Sequence, residues 1–115
     1  MKEVEVIGAL AALAHPVRLK VFRALVVSGP QGLTPGVMQD GLGVPAATLS
    51  FHLKELAASG LVTHERASRN LVYRAEMAQI NDVLGYLSQN CSGAEAARQA
   101  GEPEPARASA AAPRR

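Results

Sequence analysis

The stretch "LSFHLKELAASGLV", residues 49–62, joins the second half of a helix to a glycine stop and the first step of a strand. Its leucines recur at helical spacing and share one face of the helix: Leu49, Leu53 and Leu56. Ser50, Phe51 and Lys54 point away from that face. An outer face that carries a hydroxyl, an aromatic ring and a cation together indicates a surface that meets a partner.

Length and composition favour one small, helix-rich domain. The chain has 115 residues, of which 48% are hydrophobic but only 3% aromatic, so its core must be aliphatic. The net charge of +2 is compatible with nucleic-acid binding without requiring it. The longest apolar run, residues 7–14, is too short to span a bilayer, and the single Cys91 cannot form an intrachain disulfide. We therefore expect a cytoplasmic protein with no membrane partner.

The periodicity of apolar residues divides the chain into helices and one hairpin. It predicts a first helix over 2–13 and a second from Pro16 to Ser28. A short helix capped by Thr34 ends at Gly41 and Gly43, and a fourth helix runs from Pro45 to about Ser59. Two strands follow in "LVTHER" and "NLVYRA", and a last helix in "EMAQINDVLGYLSQN". This order, mainly α with a small β-hairpin wing, is that of a winged helix-turn-helix. We expect the ordered domain to cover residues 1–93 and a disordered tail of Ala, Pro, Arg and Glu to cover 94–115.

The outer face of the fourth helix suits the major groove of DNA. Opposite the leucines lie Ala47, Phe51 and Lys54, flanked by Thr48 and Ser50. Hydroxyls can bond base edges or phosphates, and an apolar ring can contact thymine methyl groups. The alternative is that Phe51 packs under the wing or against a dimer neighbour.

Three motifs resemble those of the ArsR family of bacterial winged-helix repressors. "ALAHPVRLKVFRAL" (12–25) is similar to the family's second helix, residues 49–62 to its recognition helix, and "RASRNLVYR" (66–74) to its wing. The resemblance covers residues 1–93 and implies a homodimer that packs through its first and last helices. The apolar residues that would form this interface are Val4, Ile7, Leu10, Ala11, Ile80, Leu84 and Leu87. A two-fold dimer implies an inverted-repeat operator in double-stranded DNA.

The same resemblance implies further DNA contacts and one departure from the family pattern. The implied contacts are Thr48, Ser50, His52 and Lys54 on the helix, and Arg66 and Arg69 on the wing. Ser68 stands where the family usually has glycine, which affects the shape of the wing. We expect His15 to cap or pack beside the second helix and His64 to be solvated. Three scattered histidines do not form a zinc site.

The segment "YLSQNCSG" (86–93) resembles the end of the last helix in arsenic-responsive members, where the pattern is usually "N-C-C". Only Cys91 remains, with Ser92 in the second place. The resemblance implies a trivalent arsenical or antimonial effector bound through Cys91, at a site that one thiolate leaves incomplete. The alternatives are that Cys91 is an inert, half-buried residue or that another ligand is sensed. No cofactor is required.

Function therefore reduces to two classes of binding protein. Residues 1–93 carry eight Lys and Arg against seven Asp and Glu, a net charge of +1, but Lys54, Arg66, Arg69 and Arg74 cluster where DNA would lie. This favours a dimeric DNA-binding repressor over a winged-helix protein-interaction module. A repressor with no metalloid response is also open. An enzyme is not expected, because the sequence shows no nucleophile–base pairing, phosphate loop or paired carboxylates.

Overall fold

The computed structural model describes residues 1–89 of the chain. Cys91, Ser92 and the predicted tail over 94–115 lie outside the described residues. Within 1–89, none of the helices has both the length and the apolar character needed to cross a membrane.

Five α-helices and one antiparallel hairpin form the domain, which confirms the predicted fold class. The elements are α1 (Glu3–Leu13), α2 (Pro16–Ser28), a short 3-10 turn (Gly29–Gln31), α3 (Pro35–Leu42), α4 (Ala46–Ala58), β1 (Val62–Ala67), β2 (Asn70–Ala75) and α5 (Met77–Leu87).

Local sequence signals set where the helices begin and end. His15 is the N-cap of α2, and its Nδ1 accepts a hydrogen bond from the backbone N–H of Val17 at 3.1 Å. The Thr34 hydroxyl oxygen accepts from the N–H of Val37 in the same way at 3.4 Å, which confirms the predicted start of α3. Gly43 adopts a left-handed conformation with φ of 67° and ends α3, so the turn into α4 is short.

The β1–β2 hairpin, which we call the wing, is attached to the domain at its base. Its register runs from Val62 opposite Ala75 to Ala67 opposite Asn70, which leaves a two-residue turn at the tip. At the base, Leu33 pairs with Tyr73 through two backbone hydrogen bonds of 2.9 and 2.8 Å. The wing is thus held in place by the linker between α2 and α3.

The core is aliphatic, as the composition predicted. Its buried residues come from every helix and from the strand entry: Val6, Ala9, Ala12, Val21, Phe22, Leu25, Met38, Leu49, Leu53, Leu56, Leu61, Val62 and Val83. Phe22 is its single phenylalanine.

Most residues of the predicted dimer interface face outward. Val4, Ile7, Leu10 and Ala11 on α1 and Leu84 and Leu87 on α5 are exposed. Ile80 differs, because it is half-buried and packs against the core of its own chain. The helices α1 and α5 contact each other, and we call their exposed apolar side chains together the α1/α5 face.

Candidate nucleic-acid interface

The helix α4 has one buried and one exposed face. Leu49, Leu53 and Leu56 are at most 2% exposed. The predicted DNA-facing side chains other than His52 are all exposed, as their role requires: Ala47, Thr48, Ser50, Phe51 and Lys54. Phe51 is 54% exposed, so it is not buried beneath the wing. Small and hydroxyl-bearing side chains allow close approach of the helix backbone to a groove.

His52 lies inside the fold, so of the implied DNA contacts on α4 it alone is buried and has a structural role in the free protein. It is 5% exposed, and its Nδ1 accepts a hydrogen bond from the Arg18 Nε at 3.0 Å. The His15 ring lies alongside, with the two ring centroids 4.5 Å apart. His52 is on the flank of α4, and the side chains of His15 and Arg18 at the start of α2 cover that flank.

The surroundings of His52 lower its pKa below the ordinary value of 6.5. Burial is the largest cause, because a desolvated imidazolium is unfavourable. The nearby His15 and Arg18 lower the pKa further, and Glu55 opposes them. The imidazole is therefore neutral near pH 7 with its proton on Nε2, which leaves Nδ1 free to accept from Arg18.

The wing presents its predicted contacts at the tip. Arg66 near the end of β1 and Arg69 in the turn are both exposed. Ser68 has φ of 62° and is the only non-glycine residue among 1–89 with a positive φ. A positive φ at the first of two turn residues is the type II′ pattern, which favours glycine there. Ser68 therefore occupies a turn position at which glycine is favoured.

Arg74 is not a free cation, contrary to the expectation that it adds to the DNA surface. Its Nη1 pairs with the Glu65 carboxylate at 2.5 Å, and its Nε donates to the Pro30 carbonyl at 2.6 Å. Glu65 lies opposite Val72 in the hairpin, so Arg74 is its diagonal neighbour on the same face. A two-residue turn between the strands fixes this register, so the sequence could have predicted the Glu65–Arg74 pair.

The remaining histidines behave as predicted, and the described residues show no metal centre. His15 caps α2, and His64 is exposed on β1 with its ring 5.1 Å from that of Tyr73. Within residues 1–89, no group of three or more His, Cys, Asp or Glu side chains could hold a metal ion. Cys91 is outside that range.

Comparisons with known proteins match the same segments. A family model described as a helix-turn-helix domain matches residues 13–65, which span α2 to most of β1. The HTH-type transcriptional regulator NmtR of Mycobacterium tuberculosis is 33% identical, over 75% of this chain and 72% of that protein. The HTH-type transcriptional repressor SmtB of the same organism is 43% identical, over 56% of this chain and 46% of that protein.

A solved structure is similar over nearly the whole domain. The ArsR-like transcriptional regulator from Rhodococcus sp. RHA1 superposes with a TM-score of 0.70 and 25% identity. The match covers 88% of this chain and 96% of that one.

Proposed function

Because the chain belongs to the ArsR family of winged helix-turn-helix transcriptional regulators, we propose that it is a dimeric repressor of an inverted-repeat operator. Regulators of this family are a DNA-binding class and not enzymes. The proposal rests on α4. Its leucines are buried, and its opposite face exposes small and hydroxyl-bearing side chains together with Phe51 and Lys54. We place its action in the cytoplasm.

The helix and the wing have different tasks in this proposal. The face of α4 enters the major groove, where Thr48 and Ser50 bond base edges and Phe51 contacts thymine methyl groups. Lys54, Arg66 and Arg69 contact phosphates, which fixes the position of the domain without reading sequence. The exposure of all six side chains supports this division.

A second copy of the chain covers the α1/α5 face. Val4 is 71% exposed, Ile7 56%, Leu84 55% and Leu87 58%, and large apolar side chains exposed to this extent on two contacting helices favour association. The two-fold dimer would present its α4 helices to half-sites about 34 Å apart. Replacing Ile7 by Glu would then abolish both dimerisation and tight operator binding.

The proposed effector is a trivalent arsenical or antimonial bound through Cys91, whose binding releases the operator. Support comes from the resemblance of "NCS" at 90–92 to the family's arsenic-responsive pattern. Thiolates are the soft ligands that such ions prefer. Trivalent arsenic takes more than one thiolate, so the partner's Cys91 or a small free thiol would complete the set.

Fluorescence anisotropy tests the repressor. A labelled duplex from upstream of the protein's own gene is titrated at two salt concentrations, beside a scrambled duplex of equal length. Three phosphate-binding cations in each protomer predict a slope of log affinity against log salt of about −5. Equal, weak affinity for both duplexes, with the dimer intact by light scattering, would contradict the proposal and favour a protein-interaction module.

Arsenite is then added to the wild-type complex and to the complex formed by Cys91→Ala. Release of the wild type alone would support Cys91 as the effector ligand. Retention of DNA by both would contradict the arsenical effector and leave a repressor without this response.

A further inference from the structure

We infer that Arg18 of α2 is a positioning residue for base readout, acting through Phe51 and His52. The inference rests on the proposed DNA-binding function and adds a residue outside α4 and the wing. Arg18 is half-buried at the start of α2, and α2 packs against α4.

The Arg18 guanidinium contacts two consecutive residues of α4. Its Nε donates to the Nδ1 of buried His52 at 3.0 Å, and its Cζ lies 5.6 Å from the centroid of the Phe51 ring. The rings of Phe51 and His52 meet edge to face, with centroids 5.5 Å apart. The Arg18 guanidinium therefore links His52, which is buried, to Phe51, which is exposed on the DNA side of α4.

This geometry adds a directional constraint to the rotation of α4 about its axis, which the buried leucines set coarsely. Consecutive residues of a helix project about 100° apart, so a group bound to both defines the azimuth of the helix. Leucine contacts are non-directional, whereas the hydrogen bond to Nδ1 is directional and the cation–π attraction requires the cation to lie over the face of the ring. Arg18 thereby holds the Phe51 ring in one orientation on the DNA side.

Loss of Arg18 should affect readout more than general attraction to DNA. The Phe51 ring would sample several rotamers and lose its contact with thymine methyl groups. The Arg18 guanidinium hydrogen-bonds to His52, so Lys54, Arg66 and Arg69 would keep their proposed phosphate contacts without it. Specificity should therefore fall while non-specific affinity and its salt slope change little.

The test compares Arg18→Met with Arg23→Met, which removes the same charge from an exposed position of the same helix. Each variant is titrated against the operator, the operator with deoxyuridine in place of thymidine, and a scrambled duplex. We expect wild type and Arg23→Met to prefer thymidine by about tenfold, and Arg18→Met to lose this preference. Phe51→Ala should lose the preference for thymidine too. The double variant Arg18→Met/Phe51→Ala should show the same preference as Phe51→Ala alone, because the two residues act as a coupled pair.

Two further variants separate positioning from stability. His52→Asn keeps an acceptor near the position of Nδ1 and should keep the preference for thymidine, whereas His52→Leu should lose it. Arg18→Lys keeps the charge without the planar fork and should give an intermediate preference. Melting temperatures are measured for every variant, so each preference is compared between folded proteins.

Other results would overturn the inference. Equal loss of operator and scrambled affinity by Arg18→Met, with a shallower salt slope, would make Arg18 a phosphate contact. An unchanged preference for thymidine in folded Arg18→Met would show that Arg18 does not position Phe51. If wild type itself does not prefer its operator over the scrambled duplex, the proposed function fails, and the inference fails with it.

Discussion

The helix α4 and the wing both face the proposed DNA surface, but they are attached to the domain in different ways. α4 is held along its length by leucines that are at most 2% exposed and by the partly buried Arg18–His52 hydrogen bond. The wing is held at its base by Leu33–Tyr73 pairing and by Arg74, while its tip around Ser68 is exposed.

This difference matches the two parts of DNA recognition. Reading base edges requires side chains fixed to a fraction of an ångström, which a helix locked on one face provides. Phosphate contacts are long-range and tolerant of geometry, so exposed arginines on a loosely held tip are sufficient. Stability and specificity should therefore depend on α4, and general affinity on the wing.

The largest effect is expected from Leu53→Ala on the buried face of α4. Removing this side chain leaves a cavity, and the free energy of unfolding should fall by about 3 kcal/mol. Leu71→Ala on the half-buried wing should lower it by about 1 kcal/mol. Urea denaturation of both variants measures the contrast, and equal losses would show that the wing is as firmly packed as α4.

A smaller effect is expected from Gly32→Ala at the base of the wing. Gly32 has φ of 70° and ψ of −173°, a region that other residues rarely adopt, and a Cβ there would lie 2.5 Å from the Tyr73 carbonyl oxygen. The free energy of unfolding should fall by about 2 kcal/mol. Because the wing contacts phosphates in the proposed complex, the affinity of Gly32→Ala for the scrambled duplex should fall, while its preference for thymidine over deoxyuridine should change less.

The control for Gly32→Ala is Gly41→Ala in α3, where an added Cβ meets no heavy atom within 4 Å. It should leave stability equal or slightly raised, because alanine is the better helix former. A loss as large as that of Gly32→Ala would contradict the role given to the base of the wing.

Ser68→Gly should stabilise the tip of the wing by about 0.5 kcal/mol, since glycine removes the strain of the positive φ but has more freedom in the unfolded chain. Ala67→Gly, next to it at negative φ, should destabilise by a similar amount. Thermal melts of the two variants should shift in opposite directions. A downward shift for Ser68→Gly would mean that the serine makes a compensating contact.

The smallest effect is expected on mild acidification. The pKa of His52 is lowered in the fold by burial, with His15 and Arg18 adding to burial and Glu55 opposing it. The unfolded chain thus binds more protons just below pH 6.5, so the contribution of His52 to stability is complete above that pH and is lost as pH falls through the folded pKa.

Melting temperatures from pH 8 to pH 5 measure this dependence. The dependence should be weaker in His52→Asn than in wild type, and unchanged in His64→Asn, which alters an exposed histidine of the wing. Equal dependence in wild type and His52→Asn would show that another group controls stability in this range.

Local features of α4 and the wing could be predicted from the sequence, whereas contacts between distant residues could not. Leucine spacing, the Thr34 cap and the hairpin pattern are local, and they predicted the elements and the outward face of α4. The burial of His52 depends on Arg18, 34 residues earlier, and helical spacing alone places His52 only on a flank. Arg74 pairs with its diagonal neighbour Glu65, a contact that composition and charge do not show and that follows only from the hairpin register.

The pairing of Arg74 with Glu65 bears on how the protein searches a genome. It removes one cation from the wing surface, so attraction to arbitrary DNA is weaker than the arginine content suggests. A weaker attraction to arbitrary DNA would shorten encounters with wrong sequences and leave fewer molecules bound to competing sites. With residence time at the proposed operator set by base contacts from α4, a smaller pool of repressor would then be needed to occupy it.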